Sequence, residues 1–567
     1  MTVAVVGDGP AVEAARDALA DVDAAVESTS VGGVADAAFA VVVGVAGSGG
    51  FTTANENARE GGTPLLTVEV GGLGGRPLAD VDAGVSLLAP EGPCFECLAA
   101  RVTATGHEPA ESPSADRSAV RLAGAHAGRL AADALRGNAE PGTVVELPHA
   151  ERSLAPVPSC SCAAGGPSDG LELGDEDRSL DDALAAAEPL VDDRVGVLSA
   201  VGERESFPAP YYLAVGTDTT GFSDAEATTK SAGVAADWNA AYMKAVGEGF
   251  ERYAAGVYRE SDFETAPADH PAAVPPERFV RPETASDDGG ELEWVRGRQL
   301  GADESALLPA DRVVFPPPED STGPSITTGL GLGNSGVGAV LSGLYEVVER
   351  DATMLSWYST FDPLGLAVDD SDFDELARRA RAEDLTVTPL LCTQDVDVPV
   401  VAVAVHRDEW PRFALGSAAN LDAEAAATDA LCEAVQNWME LRAMGPEQAA
   451  DEDGAIGKYA DFPRDVRGFV DPETTIPAAD VGPDDPPAGA DELDAVLDAL
   501  ADADLDAYAA RLTTRDLESR GFEAVRVLVP EAQPLFVNDA FFGERAREIP
   551  REMGFQARLD KPFHPFP

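Results

Sequence analysis

The hydrophobic positions of this chain fall into two kinds of run. Residues 3–6, 39–43 and 65–70 are short, continuous apolar stretches, the pattern of strands buried on both faces of a parallel sheet. The first leads through Gly7-Asp8-Gly9-Pro10-Ala11 into a helix-like run over 12–19. Strand, glycine loop and helix in that order open a Rossmann-like unit. Val12 stands where a G-x-G-x-x-G fingerprint needs its third glycine. A structural α/β unit is therefore the expectation, with nucleotide binding at Gly7 and Gly9 as the alternative. Farther along, the pattern predicts helices over 179–190 (Ser179 as N-cap), 237–254, 338–357 and 422–444. Strands are predicted at 195–198, 292–295, 306–309, 385–391, 398–405 and 525–530. Residues 163–177 read as a linker and 470–492 as a mobile acidic insertion. Prolines 562, 565 and 567 preclude a terminal helix and fix an extended tail. The fold class expected is α/β and α+β, with residues 1–162 before the linker and 178–567 after it.

One phrase occurs twice inside the predicted helices. Glu248-Gly249-Phe250-Glu251-Arg252 and Glu346-Val347-Val348-Glu349-Arg350 share all three charged positions at an offset of 98 residues. Each follows a Gly/Ser-rich stretch read as a loop, 230–233 for the first and 331–336 for the second. Positions i and i+3 share a helix face, so each copy points two carboxylates the same way beside an arginine. Two such helices facing each other would bring together four carboxylates and two guanidinium groups, an arrangement that calls for cations and polyanions between them. For one copy alone, a solvated face with an i,i+4 ion pair is the ordinary explanation. A weaker echo, Glu433-Ala434-Val435-Gln436-Asn437, lies in the third of these helices.

Charge narrows the setting. The 567 residues carry 40 Lys+Arg against 101 Asp+Glu, a net charge of −61. So acidic a surface argues against nucleic acid or an anionic membrane as partner, and its self-repulsion is screened at high salt. A salt-loving cytoplasm follows as the expectation. No stretch reads as a signal peptide or membrane span. The six cysteines are 94, 97, 160, 162, 392 and 432. In a reducing compartment the pairs Cys94/Cys97 and Cys160/Cys162 suit a closed structural Zn2+ site, with free thiols as the alternative. Cys392 and Cys432 sit in apolar runs and read as core.

Residues 1–162 resemble an E1/ThiF-like domain of the kind fused to azole-forming cyclodehydratases. The resemblance rests on the strand–GxG start, Asn55-Glu56-Asn57, Gly61-Gly62-Thr63-Pro64-Leu65-Leu66 and Gly92-Pro93-Cys94-Phe95-Glu96-Cys97-Leu98 with Arg101. In that group the domain serves as a non-adenylating scaffold. Residues 178–567 resemble a YcaO domain, through both E-x-x-E-R helices, the Gly-Asn-Ser stretch at Asn334, Val529-Pro530-Glu531-Ala532-Gln533-Pro534-Leu535, Gly543-Glu544-Arg545 and the Pro-Phe-Pro end. The resemblance implies ATP-dependent activation of backbone amides in a peptide or protein, giving azolines or thioamides. It implies Mg2+ on Glu248, Glu251, Glu346 and Glu349. It implies ATP contacts from Lys230, Ser231, Arg252, Asn334, Arg350 and Gln436, and catalytic support from Pro565, Pro567 and Arg350. A homodimer is expected, and a separate leader-recognition or sulfur-delivery protein can serve it, since no peptide-binding module precedes Val3. The sequence departs from the family pattern at Val234 (a Lys position), Gly338 (a Glu position) and Trp438 (an Arg position, with Arg442 one turn on). Those departures keep a catalytically weakened docking scaffold as the alternative function. A third reading places an adenylating or nicotinamide-dependent activity in the N-terminal unit. His564 is read as incidental, and Trp357 and Tyr358 as core or substrate wall.

Overall fold

Residues 2–153 build one seven-stranded sheet, in the order Ala25–Ser28, Thr2–Val6, Phe39–Val45, Leu65–Val70, Ala83–Leu88, Thr143–Leu147, Ala150–Ser153. In this computed structural model the described residues are 2–22, 24–148, 150–162, 170–176, 178–282, 291–302, 304–318, 321, 326–451 and 455–566. The first four strands run parallel, as the apolar runs predict, and the last three join antiparallel. Gly7 has φ 109°, and a Cβ there would lie 2.5 Å from the Val43 carbonyl oxygen. The turn into the helix Pro10–Leu19 therefore requires glycine for backbone reasons alone.

The other large sheets use residues from 198 onward. They are a three-stranded sheet ending on Lys230–Val234, a six-stranded sheet ending on Leu330–Gly333, and a five-stranded sheet ending on Phe413–Ala419. Each terminal strand is followed by a long helix. These are Trp238–Gly256, Gly336–Trp357 and Ala423–Asp451, the last kinked at Gly445. We refer to them as the first, second and third strands and helices. The stretches 230–233 and 331–333, read from sequence as loops, are thus strands. Their glycines exist because each helix lies almost on its strand. A Cβ on Gly233 would come 2.2 Å from Ala245 N, on Gly331 2.2 Å from Ala339 O, and on Gly416 2.4 Å from Ala430 O. The three units close on one another: the first helix packs on the second strand, the second helix on the third strand, and the third helix on the first strand. Three sheet edges therefore face a common centre.

Two further expectations are corrected. Within 470–492, Thr475–Pro477 pairs parallel to Leu364–Ala367, and helix Ala490–Asp502 buries Leu493, Val496 and Leu500 in the core. Acidic composition concealed this periodicity, because each apolar position is isolated among aspartates. Residues 170–176 are packed as well. Leu171 is buried, Gly174 O accepts from Val337 N at 3.1 Å, and Asp175 accepts from Ala490 N at 3.1 Å. Residues 163–169 and 177 of the expected linker lie outside the described residues. Ser179 does cap its helix, accepting from Asp182 N.

Candidate active site at three strand edges

Every unit uses its leading glutamate in the same way. The edge of a terminal strand carries backbone N–H groups with no neighbouring strand to receive them, and a carboxylate from the following helix takes one. Glu248 Oε2 accepts from Ala232 N at 2.8 Å, Glu346 Oε2 from Gly329 N at 2.6 Å, and Glu433 Oε2 from Ser417 N at 2.6 Å. In the first two units the arginine four residues on closes the carboxylate from the other side: Arg252 to Glu248 at 3.2 Å and Arg350 to Glu346 at 2.8 Å. Arg350 also donates to Thr328 Oγ1 at 2.5 Å.

The second carboxylate of each phrase lies one turn on, facing the centre. Glu349 reaches across to the third unit, where Ser417 Oγ donates to it at 2.6 Å. Burial pushes the Glu251 carboxyl up to about 8, against the pull of Arg252, with the Glu346 and Glu248 charges adding to the rise. Burial likewise drives Glu349 well above the carboxylate range, with Glu433 the next contributor. Glu433 is raised to about 7, again mainly by burial. Five carboxylates thus sense one another around three guanidinium groups, those of Arg252, Arg350 and Arg526. Fully ionised, the cage would carry two negative charges in excess. Burial is the main cause of its raised carboxyls, and their mutual charge adds to the rise.

Sequence reasoning missed Arg526 and gave Glu433 only as part of an echo. Arg526 lies on the strand Glu523–Leu528 beside the second strand, 4 % exposed. Burial lowers its guanidinium to about 10. One of its nitrogens donates to Ile326 O at 2.7 Å, while Nε and Nη1 are buried without a partner. It supplies the third cation that the sequence pattern lacked at Trp438. Trp438 itself is fully buried, donating to Pro411 O between the stacked Arg407 and Arg442. Arg442 pairs with Glu205 and Glu383 and does not join the cage.

The remaining predicted positions divide. Asn334 stands in the turn between second strand and second helix, next to Ser335, which caps the helix by accepting from Gly338 N. Lys230 is exposed at the start of the first strand. Ser231 is buried with its hydroxyl donated to Ala245 O, fastening strand to helix. Gln436 turns along its own helix to Glu440. Val234 is core. Gly338 is tightly placed: a Cβ would meet the capping Ser335 Oγ at 3.3 Å. Pro565 and Phe566 are buried in a tail tied down through Trp357 Nε1, which donates to Pro562 O at 2.9 Å. His564 is a buried anchor, its Nε2 2.7 Å from Phe536 O, and burial holds its imidazole down to about 4. Pro567 lies outside the described residues. Trp357 and Tyr358 are core, and burial pushes the Cys392 and Cys432 thiols up to about 12 and about 11.

Among the described residues, the four cysteines alone bring three or more ligand atoms within reach of one ion. Sγ atoms of Cys94, Cys97, Cys160 and Cys162 all lie within 4.8 Å of one another. A tetrahedral Zn–S shell with bonds of about 2.3 Å has edges of roughly 3.8 Å, so the group fits zinc. Val157 N and Arg515 donate to Cys97 and Cys162 and would support thiolates. The glutamates stand farther apart. That spacing suits Mg2+, which takes one or two carboxylates and completes its octahedron with phosphate oxygens and water.

Residues 232–533, just over half of the chain, match the profile described as YcaO cyclodehydratase, ATP- and Mg2+-binding. An uncharacterized protein of Methanothermobacter thermautotrophicus is 30% identical over 331 residues, covering 56% of this chain and 85% of its own. The fold is similar to that of a heterocyclase solved in complex with substrate and cofactor, with a TM-score of 0.73 and 19% identity over 99% of this chain and 84% of that one. It is similar also to the heterocyclase TruD, with a TM-score of 0.67 and 18% identity over 98% and 82%. The profile match and the cage of glutamates and arginines agree, and the chain is a member of the YcaO family.

Proposed function

We propose that this chain uses Mg-ATP to activate a backbone amide of a ribosomally made peptide or protein, so that a neighbouring Cys, Ser or Thr side chain closes an azoline ring. The observation that supports it most is the cage, where five carboxylates and three arginines converge with raised carboxyl pKa values and two nitrogens of the buried Arg526 guanidinium left unpartnered. Glu251 and Glu349 are the carboxylates free to leave their protons for Mg2+, while Glu248 and Glu346 are held by strand N–H groups and their own arginines. Arg350 and Arg526 would face phosphate oxygens. Bound Mg-ATP supplies charge neutralisation and a phosphoryl group that makes the amide oxygen a leaving group. The chain's part is to hold that charge in a preorganised, largely dry site.

The test is phosphate release from Mg-ATP in molar potassium chloride, with and without a Cys-containing peptide. Peptide-stimulated release with loss of one water from the peptide supports the proposal; sulfur incorporation would turn it into thioamide formation. Glycine at 338, where the family resemblance places a carboxylate, favours a second reading as a weakened docking scaffold. Nucleotide binding without release would establish that one. We also infer that the four cysteines hold one structural Zn2+ in an E1-like scaffold. Acid release of less than about one zinc per purified chain would reject it.

A further inference from the structure

A second cavity adjoins the cage, of about 260 Å3. Its lining is mainly apolar, with Phe279, Val280, Val529, Leu535 and Phe541 as its walls, Arg312, Asn538 and Asp539 as further polar members, and Val537, 53 % exposed, at its rim. Thr328 and Arg526 line it as well, so the cavity and the cage share a wall. The two are held in fixed register. Asp351, next to Arg350 on the second helix, accepts from Gln533 N at 2.7 Å and is itself gripped by Arg545. Gln533 then ties the loop over the cavity, donating to Pro534 O and Phe541 O and accepting from Gly543 N at 2.8 Å. Arg526 lines this cavity with two buried, unpartnered nitrogens.

We propose that this cavity takes one apolar side chain of the peptide substrate, from the residue beside the amide being activated. The inference rests on the amide-activating reading of the cage. The volume of about 260 Å3 holds one large apolar side chain. The Gln533 amide in the wall is fully committed to the loop. A charged side chain would be desolvated against the apolar part of the wall. Leucine-, methionine- or phenylalanine-like residues remain.

The test uses a blocked tetrapeptide with benzoylphenylalanine immediately before a cysteine, photolysed on the full chain with Mg2+ and a non-hydrolysable ATP analogue and mapped by mass spectrometry, with the phenylalanine and aspartate counterparts of the same peptide as competitors. The expected result is attachment within 279–282 and 527–541, competed by the phenylalanine peptide and not by the aspartate one. In parallel, Val537→Trp fills the rim from solvent, so the fold is spared. It should raise the half-saturating concentration of the phenylalanine peptide by about tenfold, in the range one pocket side chain commands, with nucleotide affinity unchanged. Attachment of an azido-adenine nucleotide at the same residues, or an unchanged peptide dependence in Val537→Trp, would overturn the proposal. Peptide attachment there in a protein that binds no Mg-ATP would uphold the cavity and reject the activity reading instead.

Discussion

The second and third units share a framework and differ in chemistry. In both, a helix lies on a glycine of an edge strand, and the leading glutamate takes a strand N–H at 2.6 Å. From there they part. In the second unit the next positions are Glu349 and Arg350, both facing the cage. In the third they are Gln436, which bonds Glu440, and Asn437, which donates to Leu415 O at 2.9 Å. The third unit thus keeps the latch and gives up the ion-holding pair. The lesson is a division of labour within one short phrase: the first carboxylate fastens helix to strand edge, and the second, on the proposed function, is left to serve the ligand.

The largest effect that would break this comparison comes from Glu349→Gln. Losing a carboxylate that no strand N–H or arginine ties down, while the amide oxygen can still accept from Ser417 Oγ, should lower phosphate release on the order of 10²-fold or more, with little change in melting temperature. Phosphate release and thermal melts measure both. Equal activity loss in Glu433→Gln would erase the distinction between the units. Next is Glu433→Ala, which leaves the buried Ser417 N–H without its acceptor and should cost about 1–3 kcal/mol in denaturant unfolding at high salt.

A third test uses pH. Glu251 at about 8 and Glu433 at about 7 lie above their ordinary 4.5. The folded, metal-free chain therefore holds protons that the unfolded chain has released. Their stabilising contribution is complete below pH 4.5 and is lost as pH rises through 7 and 8. Mg2+ displaces those protons, so the rise in Tm it produces should grow from about pH 6 to about pH 8.5. A shift independent of pH would place the ion elsewhere. The smallest effect is Gly338→Glu. Its Cβ would press on Ser335 Oγ at 3.3 Å, a contact relieved by a shift of a few tenths of an ångström, and the further carboxylate should tighten Mg-ATP by severalfold in a binding titration.

Much of this was legible because the chain repeats itself. Two E-x-x-E-R phrases at helical spacing announce a shared face, and the first- and second-unit helices stand within two residues of their expected starts and ends. The strands before them were not legible. Glycine is a poor strand former by propensity, and only the closeness of the helix explains Gly233, Gly331 and Gly416. Arg526 was hidden for a different reason. It is one arginine in Val525-Arg526-Val527-Leu528, far from both phrases in sequence, and strand pairing with 330–333 brings it to the cage. Glu433 lacked the arginine that marks the other two, because its role ends at the strand edge.

The most direct test of the cage is calorimetric titration of a non-hydrolysable ATP analogue into the protein and into Glu349→Gln, at about pH 8 and molar salt, with and without Mg2+. The account predicts binding that requires Mg2+ and weakens by about 100-fold or more in the variant. Equal affinity in the two proteins, or binding indifferent to Mg2+, would contradict it.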